Sequence, residues 1–218
     1  MIMPKKAIIF DFDGLILDTE TPQADVWRDL FNQVGANFDL QVYNSIIGGF
    51  NSDVYRPEVE IARLLDDGRS PEALLMDVQV EMTERIMQNP INPGVLEVLD
   101  EARQRGIITA VGSSSPCDWV QGHLERLGLI DRFETVVTYD DVAEPKPSPE
   151  IFELVLKRLD VKAENAIVLE DSANGVLAAS RANIRSVAVP NAVTSVMDFS
   201  LASEVLQSLL DLDLDKYF

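Results

Sequence analysis

Lys5-Lys6-Ala7-Ile8-Ile9-Phe10-Asp11-Phe12-Asp13-Gly14-Leu15-Ile16-Leu17-Asp18-Thr19-Glu20 is the stretch whose reading decides the fold. It opens as a short apolar run, Ala7–Phe10, of the kind that forms a parallel strand buried on both faces, and two acids separated by one residue follow at once. In an open α/β sheet the carboxyl ends of the strands face the ligand crevice, so Asp11 and Asp13 are expected at the mouth of a site and not on a solvated face. Gly14 then supplies a freely turning residue that lets backbone approach a ligand closely. The same acid spacing recurs at Asp211, Asp213 and Asp215, where no buried strand precedes it and a polar helix face or a frayed tail is the ordinary explanation. The first copy differs by its context: strand, acid pair, glycine, a second apolar trio, then Asp18-Thr19-Glu20.

Composition sets the outer bounds. A chain of 218 residues with 46% apolar and 25% charged residues can bury a substantial interior, as one large domain or as a core with a smaller insert. The balance of 18 basic against 37 acidic residues gives a formal charge of −19, which opposes sequence-independent attraction to nucleic acid or to an anionic membrane. An anionic small substrate must then be held by local positive groups or by a metal. The single cysteine, Cys117, excludes an intramolecular disulfide and fits a reducing compartment. After Lys5-Lys6 only four apolar residues precede Asp11, too few for a signal-peptide core or a membrane span, so a cytoplasmic protein is expected.

Along the chain two rhythms alternate. Thr21-Pro22 reads as an N-cap followed by proline at the first helical position, opening a helix through Trp27 and Phe31 to Gly35. Residues 40–47 read as helix up to Gly48-Gly49, Pro57–Leu65 as another, and Ser70-Pro71 starts a longer one through Met87. Residues 16–92 therefore form an expected all-helical insert entered and left through two hinges, between core segments 1–15 and 93–218. From Pro93 onward helix and strand alternate, with strands expected at 107–111, 135–138, 166–169 and 186–189, which means a parallel sheet with helices on both faces. Residues 201–214 are expected to close the chain as a final helix.

Each core strand after Ala7–Phe10 ends in a polar cluster, the pattern expected if several strands feed one crevice. Residues 107–111 lead into Gly112-Ser113-Ser114-Ser115, whose hydroxyls and free N–H groups suit a phosphate oxyanion, although a serine-rich helix cap looks the same. Residues 135–138 lead to Glu144-Pro145-Lys146-Pro147, a lysine held between two prolines, unusual for a side chain serving only solubility. Residues 166–169 run straight into Glu170-Asp171-Ser172, and a buried edge seldom tolerates two adjacent carboxylates unless a cation compensates them. His123 reads as a packing or surface residue, Cys117 as a small buried one, and the stripe Leu74, Leu75, Val78, Met82 as core.

In this order the four clusters resemble the haloacid dehalogenase-like superfamily of phosphotransferases, and within it the phosphatases similar to β-phosphoglucomutase, which carry a helical cap after the first motif. Asp11-Phe12-Asp13-Gly14 stands as the first motif, Ser113 as the second, Lys146 as the third, and Glu170-Asp171 with Gly175 as the fourth. The resemblance implies a Rossmann-like α/β core, Mg2+ as cofactor and a small phosphate ester as substrate, a sugar phosphate or similar metabolite. It implies that Asp11 attacks phosphorus and carries an aspartyl-phosphate, that Asp13 is general acid and then general base, and that Ser113, Ser114 and Lys146 hold the phosphoryl oxygens. Asp11, the Asp13 carbonyl, Glu170 and Asp171 would hold the metal, and Gly14 and Asn51 would line the substrate. A monomer or weak homodimer is expected.

Two departures separate the chain from the mutases of that group. Gln23 stands where their cap histidine is found, and Asn51 falls where an arginine clamps the distal phosphate. Both losses favour hydrolysis over phosphoryl return. Asp13 argues against dehalogenase chemistry, and the absence of lysine between Lys6 and Lys146 argues against a Schiff-base phosphonate hydrolase. A β-phosphoglucomutase-like mutase and a non-catalytic phospho-acceptor module remain the competing readings.

Overall fold

The computed structural model describes residues 4–44, 46–47 and 55–218. β1 (Ala7–Phe10) is buried throughout, as an apolar run with no polar alternation requires. Four helices follow: α1 (Glu20–Gln33), α2 (Leu40–Asn44), α3 (Pro57–Leu65) and α4 (Pro71–Met87). Then helix and strand alternate through α5 (Val95–Arg105), β2 (Ile108–Gly112), α6 (Cys117–Arg126), β3 (Thr135–Val137), α7 (Glu150–Leu159), β4 (Ala166–Glu170), α8 (Ala173–Arg181), β5 (Arg185–Ala188) and β6 (Glu204–Val205). The six strands form one parallel sheet in the order β3-β2-β1-β4-β5-β6, so β1 lies inside with Phe10 opposite both Val111 and Leu169. This is a Rossmann-like α/β fold.

Strand alternation divides the core into two layers. Ile8 and Phe10 face α5 and α6 with Val98, Leu99 and Leu124, while Ala7 and Ile9 face α7 and α8 with Phe152, Val155 and Ala178. α1 to α4 build a third apolar cluster, in which Trp27 and Phe31 meet Ile61, Leu74, Val78 and Met82, and Val193 from the loop after β5 joins it. Ser70 caps α4 by accepting from the Ala73 N–H at 3.2 Å, ahead of Pro71 at the first helical position. The two connections between layer and sheet run side by side. Leu17 bridges Ile91, the Asn92 side chain donates to the Gly14 and Leu15 carbonyls at 3.0 and 2.9 Å, and Asn89 donates to the Asp18 carbonyl at 2.7 Å.

Four sequence expectations need correction. α1 begins at Glu20 and not at Thr21-Pro22: Thr19 takes the N-cap position without a side-chain cap bond, and Asp18 just before it accepts from the Thr21 N–H at 2.9 Å. α2 stops at Asn44, short of Ile47. Cys117 is half-buried, since its N–H opens α6 toward Asp140 at 2.6 Å. The final helix over 201–214 does not form. β6 instead adds a strand beside β5, and the chain ends in tight turns at Leu209–Asp211 and Leu214–Lys216. The cause is local: the Ser208 hydroxyl accepts from the Leu210 N–H at 3.2 Å and Asp213 from the Asp215 N–H at 3.0 Å, bonds that compete with helical carbonyls. Leu206, Leu209, Leu212 and Leu214 still reach the core.

Candidate active site

Parallel strands bring their carboxyl ends to one edge of the sheet, and there β1, β2 and β4 deliver their following residues to a common point. Asp11 continues β1, its N–H donating to the Leu169 carbonyl at 2.9 Å. Lys146, from the loop between β3 and α7, ion-pairs with Asp11 and with Glu170, the latter at 2.6 Å. Asp171 completes the group. One carboxylate oxygen each of Asp11, Glu170 and Asp171 lie within 4.8 Å of one another, and all three residues are buried.

One ammonium cannot neutralise three buried carboxylates. Glu170 is well served: its Oε1 accepts from Lys146, and its Oε2 accepts from the Asp171 and Ser172 N–H groups at 3.1 Å each and the Ser172 hydroxyl at 3.0 Å, at the start of α8. The surplus falls on the other two. Burial, then repulsion from Glu170 and Asp13, raises Asp11 well above the usual carboxylate range although Lys146 pulls it down. Burial, then Glu20, Asp11 and Glu170, raises Asp171 likewise. Burial alone would lower Lys146, but Asp11 and Glu170 outweigh it and hold the ammonium above its ordinary value. A hard divalent cation fits this donor set: oxygen ligands only, a charge surplus and no thiol or imidazole among them.

Two glycines make room for the cluster. Gly14 has φ +79°, and a Cβ there would lie 2.0 Å from Asp171 Oδ2. At Gly175 on α8 a Cβ would lie 1.7 Å from Glu170 Oε1, so only glycine lets that carboxylate rest on the helix.

A cavity of about 490 Å³ opens above the cluster, walled by Asp13, Ser113, Ser114, Ser115 and Lys146 from the sheet side and by Glu20, Gln23 and Tyr43 from the helical layer. Asp13 receives donors from three elements: Thr19 Oγ1 at 2.9 Å, Ser115 Oγ at 2.6 Å and Trp119 Nε1 at 2.9 Å, with Ser113 Oγ farther at 3.5 Å. The Ser114 hydroxyl accepts from the Lys146 N–H at 3.2 Å and so ties the serine turn to the lysine loop. Asp11, Asp13, Gly14, Ser113, Ser114, Lys146, Glu170 and Asp171 are thus gathered in one place. Asn51 lies outside the described residues.

A family described as Haloacid dehalogenase-like hydrolase matches residues 8–189. The chain belongs to that family. Among relatives of this haloacid dehalogenase-like hydrolase, the protein YhcW of Bacillus subtilis (strain 168) is 37% identical over 209 residues, covering 96% of this chain and 94% of its own. The Phosphorylated carbohydrates phosphatase of Thermotoga maritima is 30% identical over 182 residues, covering 84% and 83%. A crystal structure of CbbY from Rhodobacter sphaeroides in complex with phosphate superposes with a TM-score of 0.69 at 30% identity, covering 95% and 96%. The chain is an enzyme of this hydrolase family, in the branch whose members include phosphatases.

Several polar groups of the haloacid dehalogenase-like hydrolase escaped the sequence reading. Thr19 and Glu20 come a few residues after the first motif, and the turn of the chain through 14–18 brings Thr19 Oγ1 back to Asp13. Trp119, in the first turn of α6, donates to the same Asp13 carboxylate as Ser115, which stands in the turn just before that helix. Asn191 donates to Glu20 Oε2 at 2.7 Å and Asp171 Oδ2 at 2.8 Å. Its position just past β5 was the available signal, since that strand feeds the same edge. His123 has the expected packing role, its ring 4.3 Å from Trp119 and 6.1 Å from Phe12.

Proposed function

We propose that the chain is a Mg2+-dependent phosphatase that hydrolyses a small phosphomonoester, of the class that includes sugar phosphates, through a phosphoryl group carried on Asp11. The observation that supports this most directly is the meeting of Asp11, Lys146, Glu170 and Asp171 in one buried group at the floor of a cavity that also holds Asp13 and Ser113.

A carboxylate oxygen of Asp11 attacks phosphorus in line with the ester oxygen, which leaves with a proton from Asp13. Asp13 then takes a proton from the water that attacks the phosphorus on Asp11, and inorganic phosphate departs. Ser113 Oγ, the Ser114 N–H and Lys146 Nζ hold the non-bridging oxygens through both steps and offset their charge. Thr19, Ser115 and Trp119 keep the Asp13 carboxyl aimed into the cavity. Asp11, the Asp13 carbonyl, Glu170 and Asp171 would hold Mg2+, which when bound would offset the surplus negative charge and that of the phosphoryl group. Residues 16–92 act as a lid over a core of 1–15 and 93–218, a division supported by the apolar cluster of α1 to α4 and by the paired connections beside Leu17 and Ile91.

Hydrolysis is favoured over mutase action because Gln23, whose carboxamide neither gives nor takes a proton, lines the cavity. The Thermotoga relative's name supports a phosphorylated metabolite as substrate. The test is phosphate release from p-nitrophenyl phosphate and a panel of phosphomonoesters. We expect EDTA or Asp11→Asn to abolish turnover, by about 10³-fold or more for the substitution. Activity that survives either change overturns the proposal.

A further inference from the structure

A second hollow, of about 550 Å³, lies against α1, α3 and α4 and joins the first through a shared wall of Gln23, Tyr43, Ile46 and Trp119. We propose that this chamber receives the leaving group, and that the favoured substrate carries a single phosphate on an alcohol whose remainder bears an uncharged aromatic ring. This inference rests on the phosphatase reading and narrows its substrate class.

Trp119 fixes the direction. Its indole N–H donates to Asp13, the residue assigned to the leaving oxygen, while its ring forms part of the second chamber. Whatever is attached to that oxygen is therefore led past Trp119 into the hollow between the helices. Its larger wall side chains are aromatic and aliphatic, Trp27, Tyr43 and Tyr55 with Leu75, Met82 and Ile86, and Gln23, Gln79 and Thr83 add polar groups beside them. Flat side chains of this kind stack on a ring face and offer few hydrogen bonds to a ring edged with hydroxyl groups.

Charge excludes a second anion. Among the described residues the only cation on the wall is Arg56, and it is engaged by Glu58 at 2.7 Å. The sequence from 29 to 55 contains no lysine or arginine at all. A second phosphate would enter with no free counter-charge, in a protein already at −19. A neutral ring meets no such opposition.

Three esters of primary alcohols isolate the leaving group from its intrinsic reactivity: 2-phenylethyl phosphate, glucose 6-phosphate and glycerol 3-phosphate. With Mg2+ present, kcat/KM for 2-phenylethyl phosphate is expected to exceed that of the other two by tenfold or more. Fructose 1,6-bisphosphate should be poorer than glucose 6-phosphate. Thr83, exposed on α4 and on the chamber wall, provides a variant that can fold: Thr83→Phe fills the hollow and should lower kcat/KM for 2-phenylethyl phosphate at least tenfold more than for glycerol 3-phosphate.

Binding supplies a readout independent of turnover. Both tryptophans of the chain, Trp27 and Trp119, line the chamber, so 2-phenylethyl phosphate should change the fluorescence of Asp11→Asn protein saturably, and Thr83→Phe should remove the change. Equal or greater preference for glucose 6-phosphate overturns the leaving-group assignment and leaves the phosphatase intact. If no ester is hydrolysed, the phosphatase reading fails on its own. In that case an absent or Thr83→Phe-insensitive fluorescence change overturns the chamber as well.

Discussion

Gly175 holds its place because Glu170 occupies the space a side chain would need, with Oε1 1.7 Å from where a Cβ would stand. Gly175→Ala must push Glu170 off Lys146 and off the start of α8. We expect Mg2+ affinity to fall ten- to a hundredfold by calorimetry, with a stability loss of roughly 2 to 4 kcal/mol. Unchanged Mg2+ affinity would show that Glu170 has no part in holding the ion. Glu20 carries a second residue-scale consequence. Burial, then the Asp13 and Asp18 charges, outweighs hydrogen bonds from Asn191 and Asp171 and raises its carboxyl from 4.5 to about 7. The folded state thus binds this proton more tightly than the unfolded chain. Its contribution to stability is complete below pH 4.5 and lost as pH rises through about 7. In urea unfolding with EDTA, wild type should lose on the order of 1 to 3 kcal/mol more than Glu20→Gln between pH 5 and pH 8. Parallel pH profiles for the two proteins would contradict this. Asp11, Lys146 and Glu170 could be read in advance because each follows or precedes a strongly patterned element. Glu20, Thr19 and Trp119 could not, because what aims them is the path of the backbone and not any periodicity of their own, and for Asn191 the one signal was its place just past β5.

Elements whose apolar pattern agreed with their local chemistry were legible to within a residue or two. β1, α3 and α4 have the expected bounds, since a buried run, Pro57 and Ser70-Pro71 mark their ends unambiguously. The C-terminal segment is the counterexample. Its leucines at 206, 209, 212 and 214 suggest a helical face, but Ser208 and Asp213 turn the chain locally and the leucines reach the core from irregular backbone. That segment still contributes to the fold. Leu214 is almost fully buried in the core layer that also holds Ile8 and Phe10, so Leu214→Ala should cost about 2 to 5 kcal/mol in chemical denaturation. A cost below about 0.5 kcal/mol would mean that the end of the chain is not packed against the sheet.

In the whole molecule, β1, β2, the loop before α7 and β4 end at one point of a parallel sheet, under a helical layer with its own apolar cluster. A protein of charge −19 gives an anionic ester no general attraction, so recognition must be local, at Lys146, the serine turn and a bound cation. The central claim is that Asp11 carries the phosphoryl group, and the most direct measurement is chemical trapping. The enzyme turning over a phosphomonoester with Mg2+ is quenched and treated with borohydride, which reduces an acyl phosphate to an alcohol, and the peptide spanning residues 7–28 is sequenced by mass spectrometry. Homoserine is expected at position 11, dependent on both substrate and Mg2+, with Asp13 unchanged. Rapid phosphate release with position 11 unmodified, or reduction at Asp13 instead, would contradict it.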